Sequence, residues 1–379
     1  MRAVALIDGE HSAEVLREAL LDLPYEWVGA ILVGGGEKLR GAWELEVPLV
    51  EDFGDAQTVV DLSDDPALPP SERFEWVSRA LAAGLAYVGA DFRFDPPEYE
   101  QVEVPSIAVL GTGKRVGKTA VAAHIARLLA RDRDVTVVTM GRGGPADPEV
   151  VESPPGLEAL VALSRAGRHA ASDHFEIAVV AGVATIGCRR AGGGLAGRPF
   201  VTNLSAGIRI VNERRPDVAV FDGSGSAIPP VAADRRVLVV GAGHDRSERL
   251  TAYRRYLSDL VLSVGWEADG AIPVELRLHP LGALAGRVAV FTAGPADLGH
   301  LEADVVHVSH NLGDRAALRH ELRGLDADTY LTEIKGAAIE IVAVHALARG
   351  RQIVLAGNDV VGPGLDEALL ALAPLSAAV

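Results

Sequence analysis

Two of the four lysines in this chain lie in one short, glycine-containing segment. The segment reads SIAVLGTGKRVGKTAVAAHIARLLA from Ser106 and includes Lys114 and Lys118. Its apolar start predicts a strand, and the apolar periodicity after Gly117 predicts a helix. A glycine-containing turn between a strand and a helix N-terminus suits an anion, because backbone N–H groups and the positive end of the helix dipole both face it. The segment therefore predicts a phosphate-binding loop.

The same loop carries the side chains that a nucleoside triphosphate requires. Lys118 is a compact, flexible point charge that can reach the β- and γ-phosphates, and the Thr119 hydroxyl can bind Mg²⁺. The predicted nucleotide-binding residues are Gly111, Thr112, Gly113, Lys114, Arg115, Val116, Gly117, Lys118 and Thr119. The standard spacing GxxxxGK[ST] would have glycine where Thr112 stands, so a glycine-rich turn that only begins a helix remains an alternative.

A carboxylate that helps to bind Mg²⁺ is expected at the end of a neighbouring strand. The segment RRPDVAVFDGSGS has Asp222 at the end of an apolar run, before Gly223 and Gly225. Asp222 would organise Mg²⁺ together with Thr119, and the alternative is an ordinary turn aspartate. None of the four lysines stands in an [NT]KxD motif, which favours ATP over GTP as the nucleotide.

Basic residues follow other predicted strands, in segments that contain glycine. They are Arg142 in VTMGRGGPAD, Arg189 and Arg190 in GCRRAGGG, and Lys335 in YLTEIKGAAIE. Ligands of open α/β sheets bind beyond the carboxyl ends of the strands. We predict that these residues bind a small, highly charged anion, although each arginine taken alone could be an ordinary surface residue.

The composition excludes several classes of function and site. A net charge of −16 argues against general binding of nucleic acids or anionic membranes. The apolar runs are shorter than the roughly 18 residues that a membrane span needs, and the start MRAVALIDGE does not resemble a signal peptide. The single cysteine, Cys188, excludes an internal disulfide and a cysteine-based metal site. We therefore predict a cytoplasmic protein.

Alternation of strand and helix patterns predicts an α/β protein with two domains. Residues 1–94 predict a small Rossmann-like α/β domain, 95–105 a proline-containing linker, and 106–379 a P-loop ATP-binding and catalytic domain with a mostly parallel sheet. The predicted strands of the large domain are 106–110, 135–140, 177–181, 218–222, 236–240, 259–264, 288–292, 304–309 and 352–356. In the small domain, the loops DGEH and GGGEK, the latter with Lys38, are explained about equally well by turns and by a second ligand site.

Six segments, taken in order, resemble those of one enzyme family. The Gly-Thr dipeptide before the later GKT is similar to the loop of dethiobiotin synthetase and its relatives. The ordered set ALIDGEH, GTGKRVGKTAV, MGRGGP, GGGLAG, FDGSGS and TEIKGAAIE resembles the cyclic 2,3-diphosphoglycerate synthetase family more closely, over nearly the whole chain.

That resemblance implies an ADP-forming ligase that uses ATP and Mg²⁺ to close 2,3-diphosphoglycerate into its cyclic diphosphate, and it implies a homodimer. Lys118 and Asp222 would then be catalytic, and so would Lys114, which could neutralise the γ-phosphoryl group during transfer. The alternatives are another P-loop kinase or ligase acting on a phosphorylated or carboxylated metabolite, and a partition- or chaperone-type ATPase. ATPases of the last class usually carry lysine at the position of Gly113, which disfavours that alternative.

Overall fold

The computed structural model describes residues 1–36, 45–243 and 250–374, which form two compact units. The first unit is Met1–Glu98 with Gly243–Ser258, and the second is Tyr99–Ala242 with Asp259–Val379. The strands are β1 (Arg2–Asp8), β2 (Glu26–Gly34), β3 (Thr58–Asp61), β4 (Ala86–Val88), β5 (Arg93–Phe94), β6 (Ser106–Gly111), β7 (Val135–Gly141), β8 (Glu149–Val151), β9 (Ala184–Ala191), β10 (Val201–Thr202), β11 (Val218–Asp222), β12 (Arg235–Val240), β13 (Leu260–Val264), β14 (Ile272–Pro280), β15 (Arg287–Phe291), β16 (Asp304–Ser309), β17 (Thr329–Glu333) and β18 (Gln352–Val361). The helices are α1 (Ala13–Asp22), α2 (Pro70–Ala82), α3 (Lys118–Leu129), α4 (Leu157–Arg165), α5 (Asp173–Ala181), α6 (Leu204–Arg214), α7 (Thr251–Tyr256), α8 (Arg315–Leu322), α9 (Val344–Ala348) and α10 (Leu365–Leu372), and a π-helical segment covers Ala338–Ala343. Within the described ranges, no helix has the length and apolar character needed to cross a membrane.

The first unit contains a small, mostly parallel sheet. Its strands lie in the order β2-β1-β3-β4-β5, and only the β4–β5 pair is antiparallel. The interior strand β1 is buried from Ala3 to Ile7, as expected for a strand that is covered on both faces. Helix α1 begins after Ser12, whose hydroxyl accepts a hydrogen bond from the Val15 N–H. Helix α7 packs against α2, so a segment that the sequence assigns to the large domain belongs to the first unit.

The DGEH loop of the first unit is a turn organised by Asp8. One oxygen of this buried carboxylate accepts hydrogen bonds from the Glu10 and His11 N–H groups, and the other accepts from the Asp64 N–H. Burial opposes ionisation, but these hydrogen bonds hold the pKa of Asp8 below its usual value. The Asp8 carboxylate already accepts hydrogen bonds from the backbone of this loop, which favours the turn explanation over a ligand site. Lys38 of the GGGEK loop lies outside the described residues.

The second unit is built on one long sheet. The strand order is β10-β9-β7-β11-β6-β12-β13-β14-β18-β17-β15-β16, and β8 pairs with β9. Neighbouring strands are parallel, except where β8 and β10 pair with β9 and where β14 pairs with β18. The α/β class and the mostly parallel sheet predicted from the sequence are confirmed.

Strands β14 and β18 join two parallel parts of this sheet that run in opposite directions. The start of β14 pairs with β13 through Ile272–Val274, and the rest pairs with β18 through Glu275–Pro280. Because β18 is antiparallel to β14, the four strands β15 to β18, here called the C-terminal strands, run opposite to β6, β11 and β13. Strand β14 continues past the end of β13 before it pairs with β18, so the C-terminal strands lie beyond the edge of the sheet where β6 and β11 end. Because they run in the opposite direction, the carboxyl ends of β16 and β17 point back toward that edge.

Helix α3 is held on the sheet by an apolar stripe. Val121, Ile125, Leu128 and Leu129 are each at most 3% exposed. Their spacing follows the 3.6-residue period of a helix that buries one face. Burial of each such side chain stabilises the fold by roughly 1.5–3 kcal/mol, so the packing of α3 fixes the position of its first turn, where the phosphate-binding loop ends.

One predicted strand of the large domain is wrong, because residues 177–181 form the end of α5. A short apolar run cannot by itself distinguish a strand from a buried helix. The helix is defined by its acidic first turn, which begins at Asp173, and by Gly182, which ends it in a left-handed conformation with φ +71°. The prediction also lacks β9, β17 and β14, and in β14 the prolines Pro273 and Pro280 obscure an otherwise alternating pattern.

The predicted linker is divided between the two units. The first unit extends to Glu98, and the chain from Tyr99 onward belongs to the second. There the Glu100 N–H donates to the Pro230 carbonyl, and the Ala232 N–H donates to the Glu100 carbonyl. Residues 99–105 are therefore hydrogen-bonded to the second unit before β6 begins.

Candidate nucleotide and anion site

The loop between β6 and α3 wraps around the side chain of Lys118. Its Nζ donates to the Gly113 carbonyl at 2.9 Å, and the residue is 6% exposed. A Cβ at Gly111 would lie 2.5 Å from Lys118 Cδ, so glycine is needed there for the lysine to fold back over the loop. Gly117 adopts φ +96° directly before the helix, a conformation that favours glycine. The ammonium group thus lies inside the loop, where loops of this kind hold nucleotide phosphates.

Thr112 ties the loop to the neighbouring strand β12. Its N–H donates to the Val239 carbonyl at 3.2 Å, and its hydroxyl accepts from the Gly241 N–H at 3.0 Å. Both partners lie at the end of β12, which pairs with β6. This contact explains why threonine stands where the standard motif has glycine.

The tip of the loop carries two cations. Lys114 and Arg115 are exposed, whereas Val116 between the tip and the helix is buried. Neither cation has an ion-pair partner in the part of the chain that the structure describes. Both charges are therefore available to an anion.

Asp222 ends β11 beside this loop, and its carboxylate has no hydrogen-bond donor among the described residues. In the β11–β6 pair, Asp222 lies opposite Val109. The residue is 1% exposed, so bulk water does not hydrogen-bond to either of its unpartnered oxygens. Burial and the charge of Asp173 raise the pKa of Asp222, while the Lys118 ammonium opposes that shift. Burial lowers the pKa of Lys118, because it disfavours the charged form of either group. A buried carboxylate without donors is suited to bind a cation.

Helix α5 brings two more acidic residues to this region. A Cβ at Gly141, the last residue of β7, would lie 3.5 Å from Asp173 Oδ2. Glu176 is buried and accepts from Lys335 Nζ, which lies 2.7 Å from Glu176 Oε1. Burial raises the pKa of Glu176 to about 7, against the effect of Lys335. Burial by itself would lower the pKa of Lys335, but Glu176 and Glu333 hold the pKa of its ammonium above the ordinary value. Lys335 therefore reaches the site already paired.

Arg142 and Arg190 converge on Gly225, in the turn after β11. A Cβ at Gly225 would lie 3.1 Å from Arg142 Nη2 and 3.3 Å from Arg190 Nη2, and its φ is +62°, so both space and conformation require glycine. Arg190 donates to the Gly192 carbonyl at 2.6 Å and to the Ser224 carbonyl at 2.7 Å. Burial and the charge of Arg142 lower the pKa of Arg190. Two guanidinium groups held this close favour an anion that bridges them.

Arg189 lies apart from that pair. Successive residues of a strand point to opposite faces, so its side chain leaves β9 on the face opposite Arg190. Its N–H donates to Asn203 Oδ1 at 2.7 Å, its carbonyl accepts from the Thr202 hydroxyl at 2.8 Å, and the side chain is exposed. The structure thus brings Arg190, and not Arg189, to Arg142. A contribution of Arg189 to anion binding stays a prediction.

Three parts of the chain match the models of one protein family, cyclic 2,3-diphosphoglycerate synthetase. Its N-terminal domain matches residues 2–95, its P-loop domain residues 106–270, and its C-terminal domain residues 288–359. The chain belongs to this family. The resemblance of the six segments is confirmed, and the phosphate-binding loop at Ser106–Thr119 lies in the family's P-loop domain.

Curated relatives named cyclic 2,3-diphosphoglycerate synthetase are similar to this chain along nearly its full length. The protein of Rubrobacter xylanophilus is 44% identical, over 98% of this chain and 97% of the relative. The protein of Pyrococcus horikoshii is 38% identical over 93% and 91%, and that of Methanothermobacter thermautotrophicus is 35% identical over 97% and 95%. A crystal structure of LpxK from Aquifex aeolicus in complex with ATP is 13% identical, with a TM-score of 0.46 over 73% of this chain and 91% of that one, which is too low a similarity to bear on the site.

In this member of the family, Thr119 and Asp222 are the residues that could hold a magnesium ion. Thr119 is half-buried in the first turn of α3, and Asp222 offers a carboxylate without described donors. Across the described ranges, no group of three or more His, Cys, Asp or Glu residues could hold a metal ion. Mg²⁺ commonly takes only one or two protein oxygens and completes its shell with waters and phosphate oxygens. One hydroxyl and one carboxylate are therefore sufficient when a nucleotide is bound.

Asp173 and Glu176 belong to the site but do not stand out in the sequence. Acidic residues in the first turn of a helix are common, because they interact favourably with the helix dipole. The signal that could find them is Lys335. A lysine in an apolar segment near a strand end needs a carboxylate partner when it loses contact with water, and Glu176 is that partner for the half-buried Lys335.

Proposed function

We propose that this chain uses ATP to close 2,3-diphosphoglycerate to cyclic 2,3-diphosphoglycerate, with release of ADP and phosphate. The observation that carries the proposal is the convergence, at one edge of one sheet, of a P-loop lysine, a buried carboxylate without described donors and two guanidinium groups at Gly225. The shared name of relatives that are 35–44% identical supports the same substrate and product.

The reaction requires activation, because two phosphate groups on one glycerate repel each other and must be joined by an anhydride. We propose that one phosphate of the substrate attacks the γ-phosphorus of ATP, which breaks the bond to the β-phosphate oxygen and releases ADP. The other phosphate then attacks the substrate phosphorus of the new diphosphate. Its oxygen becomes the bridge of the ring, and the transferred phosphoryl group leaves as inorganic phosphate.

Such transfers depend mainly on positioning and charge neutralisation, and no covalent nucleophile of the protein is needed. Lys118 would bind the β- and γ-phosphates, and Lys114 at the loop tip would face the phosphoryl group in transit. Arg142 and Arg190 would bind the substrate phosphates with planar, bidentate forks. Cys188 takes no part in this scheme, since burial raises the pKa of its thiol to about 12.

Magnesium is part of the proposal, with Thr119 and Asp222 as its protein ligands. When bound, it would supply positive charge to the β- and γ-phosphate oxygens. Asp222 contributes by being preformed: its carboxylate is buried and unpartnered at the strand end, so no hydrogen bond to another described residue must break before a cation binds.

Phosphorus NMR of a reaction with ATP, Mg²⁺ and 2,3-diphosphoglycerate tests the function. We expect two phosphate-ester signals to give way to coupled anhydride signals, with ADP and phosphate formed in equal amounts. ATP turnover that does not respond to 2,3-diphosphoglycerate would instead indicate an ATPase switch. A linear phosphorylated product would indicate a different kinase or ligase.

The assembly and location of the protein also belong to the proposal. We infer a homodimer from the family resemblance, and light scattering after size exclusion tests it. We infer a cytoplasmic location because both substrates are phosphorylated metabolites of the cytoplasm, and fractionation of the producing cells tests that. The net charge of −16 argues against nucleic acid as a partner.

A further inference from the structure

Arg115, at the tip of the phosphate-binding loop, has a backbone conformation that favours glycine. Its φ is +62°, in the left-handed region where a side chain with a Cβ is strained. Glycine would form the same turn without that strain. The loop geometry therefore accounts for the conformation but not for the arginine side chain, which calls for a separate explanation.

The Arg115 guanidinium extends to the loop that follows β16. A Cβ at Gly313 would lie 3.1 Å from Arg115 Nη2. Gly313 is not in the left-handed region, so its backbone does not require glycine. A side chain at position 313 would instead occupy the space that the Arg115 guanidinium uses.

The loop around Gly313 belongs to the part of the sheet that faces the phosphate-binding loop. The Ala337 N–H donates to the Leu312 carbonyl at 2.9 Å, which ties this loop to the segment after β17. That segment includes Lys335, whose ammonium is paired with Glu176. Arg115 therefore points toward the ends of the C-terminal strands, whereas Lys118 of the same loop points inward to the Gly113 carbonyl.

The charge of Arg115 is uncompensated in its surroundings. It is exposed and has no hydrogen-bond or ion-pair partner among the described residues. The acidic residue next to Gly313, Asp314, is occupied as the N-cap of α8, where its carboxylate accepts from the Ala316 and Ala317 N–H groups. A free guanidinium in a protein of net charge −16 is a local binding point for an anion.

We propose that Arg115 binds a phosphate of the diphosphorylated substrate and not the nucleotide, and that Gly313 is a positioning residue that keeps the space for its guanidinium open. This inference rests on the proposed function. It assigns one substrate phosphate to the ends of the C-terminal strands, and Arg142 and Arg190 would bind the other. The diphosphoglycerate would then be held at both ends.

The first test replaces Arg115 with glycine, which keeps the turn and removes the side chain. We expect a thermal midpoint close to that of the wild type, because relief of strain offsets the greater freedom of glycine in the unfolded chain. ATP affinity by calorimetry should change less than about twofold, while KM for 2,3-diphosphoglycerate rises about tenfold or more. R115K should recover part of the loss. A fall in ATP affinity equal to the rise in KM, or no change in either, overturns the proposal.

The second test uses Gly313→Val, with Gly324→Val as its control. Gly324 lies at the other end of α8 and is not left-handed, and a Cβ added there would have no described neighbour within 4 Å. We expect Gly313→Val to raise KM for the substrate and Gly324→Val to leave it unchanged. In a chain that already carries Arg115→Gly, Gly313→Val should have little further effect. Additive effects of the two changes would show that Gly313 does not act through Arg115.

The two proposals fail in different ways. If the wild type forms no cyclic product, the proposed function is wrong, and calorimetric binding of 2,3-diphosphoglycerate to the wild type and to Arg115→Gly still decides the role of Arg115. If the wild type forms the cyclic product and Arg115→Gly binds the substrate equally well, the function stands and only the role of Arg115 is wrong.

Discussion

Lys118 is a buried cation whose one described hydrogen bond goes to a carbonyl of its own loop. Burial lowers the pKa of its ammonium, and the negative charge of bound phosphates would raise that pKa again. We expect Lys118→Ala to reduce ATP turnover about 100-fold or more while the thermal midpoint stays close to the wild type. Turnover with 2,3-diphosphoglycerate and a melting curve are the measurements. A folded variant with near-normal turnover would remove the phosphate-loop assignment.

Asp222 is a buried carboxylate that no described donor stabilises. We expect Asp222→Asn to need far more Mg²⁺ or to lose activity, with no drop in thermal midpoint, because the change removes a buried charge rather than a hydrogen bond. The pKa of Asp222 is raised, so the carboxylate gains its charge only as the pH increases. In the wild type, the Mg²⁺ concentration for half-maximal activity should therefore fall from slightly acid to slightly alkaline pH. If Asp222→Asn instead unfolds readily, and the fraction that stays folded needs the same Mg²⁺ concentration as the wild type, Asp222 is a structural turn residue.

Arg142 and Arg190 form the pair at Gly225, and Arg190 also donates to the Ser224 carbonyl of the same turn. We expect Arg142→Ala to raise KM for 2,3-diphosphoglycerate about tenfold with little effect on ATP binding, and R142K to recover part of it. Arg190→Ala should have the same effect and also lower the thermal midpoint, because it removes that hydrogen bond. Arg131→Ala, an exposed residue just after α3, is the control.

Arg189→Ala completes that comparison, because it tests which face of β9 binds the substrate. The measurement is titration of each variant with substrate and with ATP. If Arg142→Ala and Arg190→Ala both cyclise the substrate like the wild type, the substrate's anion site lies elsewhere.

At the scale of elements, α5 turns its acidic first turn toward Asp222 and Lys118. The charge of Asp173 raises the pKa of Asp222, so Asp173→Asn should lower it. In the wild type we expect the Mg²⁺ requirement to fall as the pH increases. In Asp173→Asn this fall should occur at a lower pH. An increased Mg²⁺ requirement at every pH would instead make Asp173 a metal ligand. The assay is activity at several Mg²⁺ concentrations across the pH range.

The elements that carry the site differ in how well the sequence predicts them. Strand β6 and helix α3 are adjacent in the chain and strongly periodic, so their type and the loop between them follow from local pattern. The end of helix α5 has a strand-like pattern, since its five apolar residues fit either structure. The reversal between β14 and β18 has no local signal at all, because strand direction depends on which partner a strand finds.

At the scale of the whole molecule, an acidic chain must collect positive charge where it binds anions. Thirty-two arginines and four lysines carry its positive charge against 52 acidic residues. Many arginines are paired with carboxylates, as Arg127 is with Asp359 at 2.8 Å. Lys114, Arg115 and Arg142 have no such partner in the described ranges. The opposed sheet directions bring Arg115 to Gly313 and Lys335 to Glu176 within the second unit.

The sequence by itself determined the fold class, the family and the phosphate-binding loop at Ser106–Thr119. These rest on short-range order, since a loop of a few residues between a strand and a helix has few conformations, and glycine marks the ones it adopts. Only the tertiary structure decided that Lys335 is paired with a carboxylate 159 positions away, that Arg190 rather than Arg189 joins Arg142, and that Arg115 reaches Gly313. The physical reason is that such contacts depend on strand register and direction. A shift of one residue exchanges the faces of a strand, and a reversed neighbour exchanges its ends.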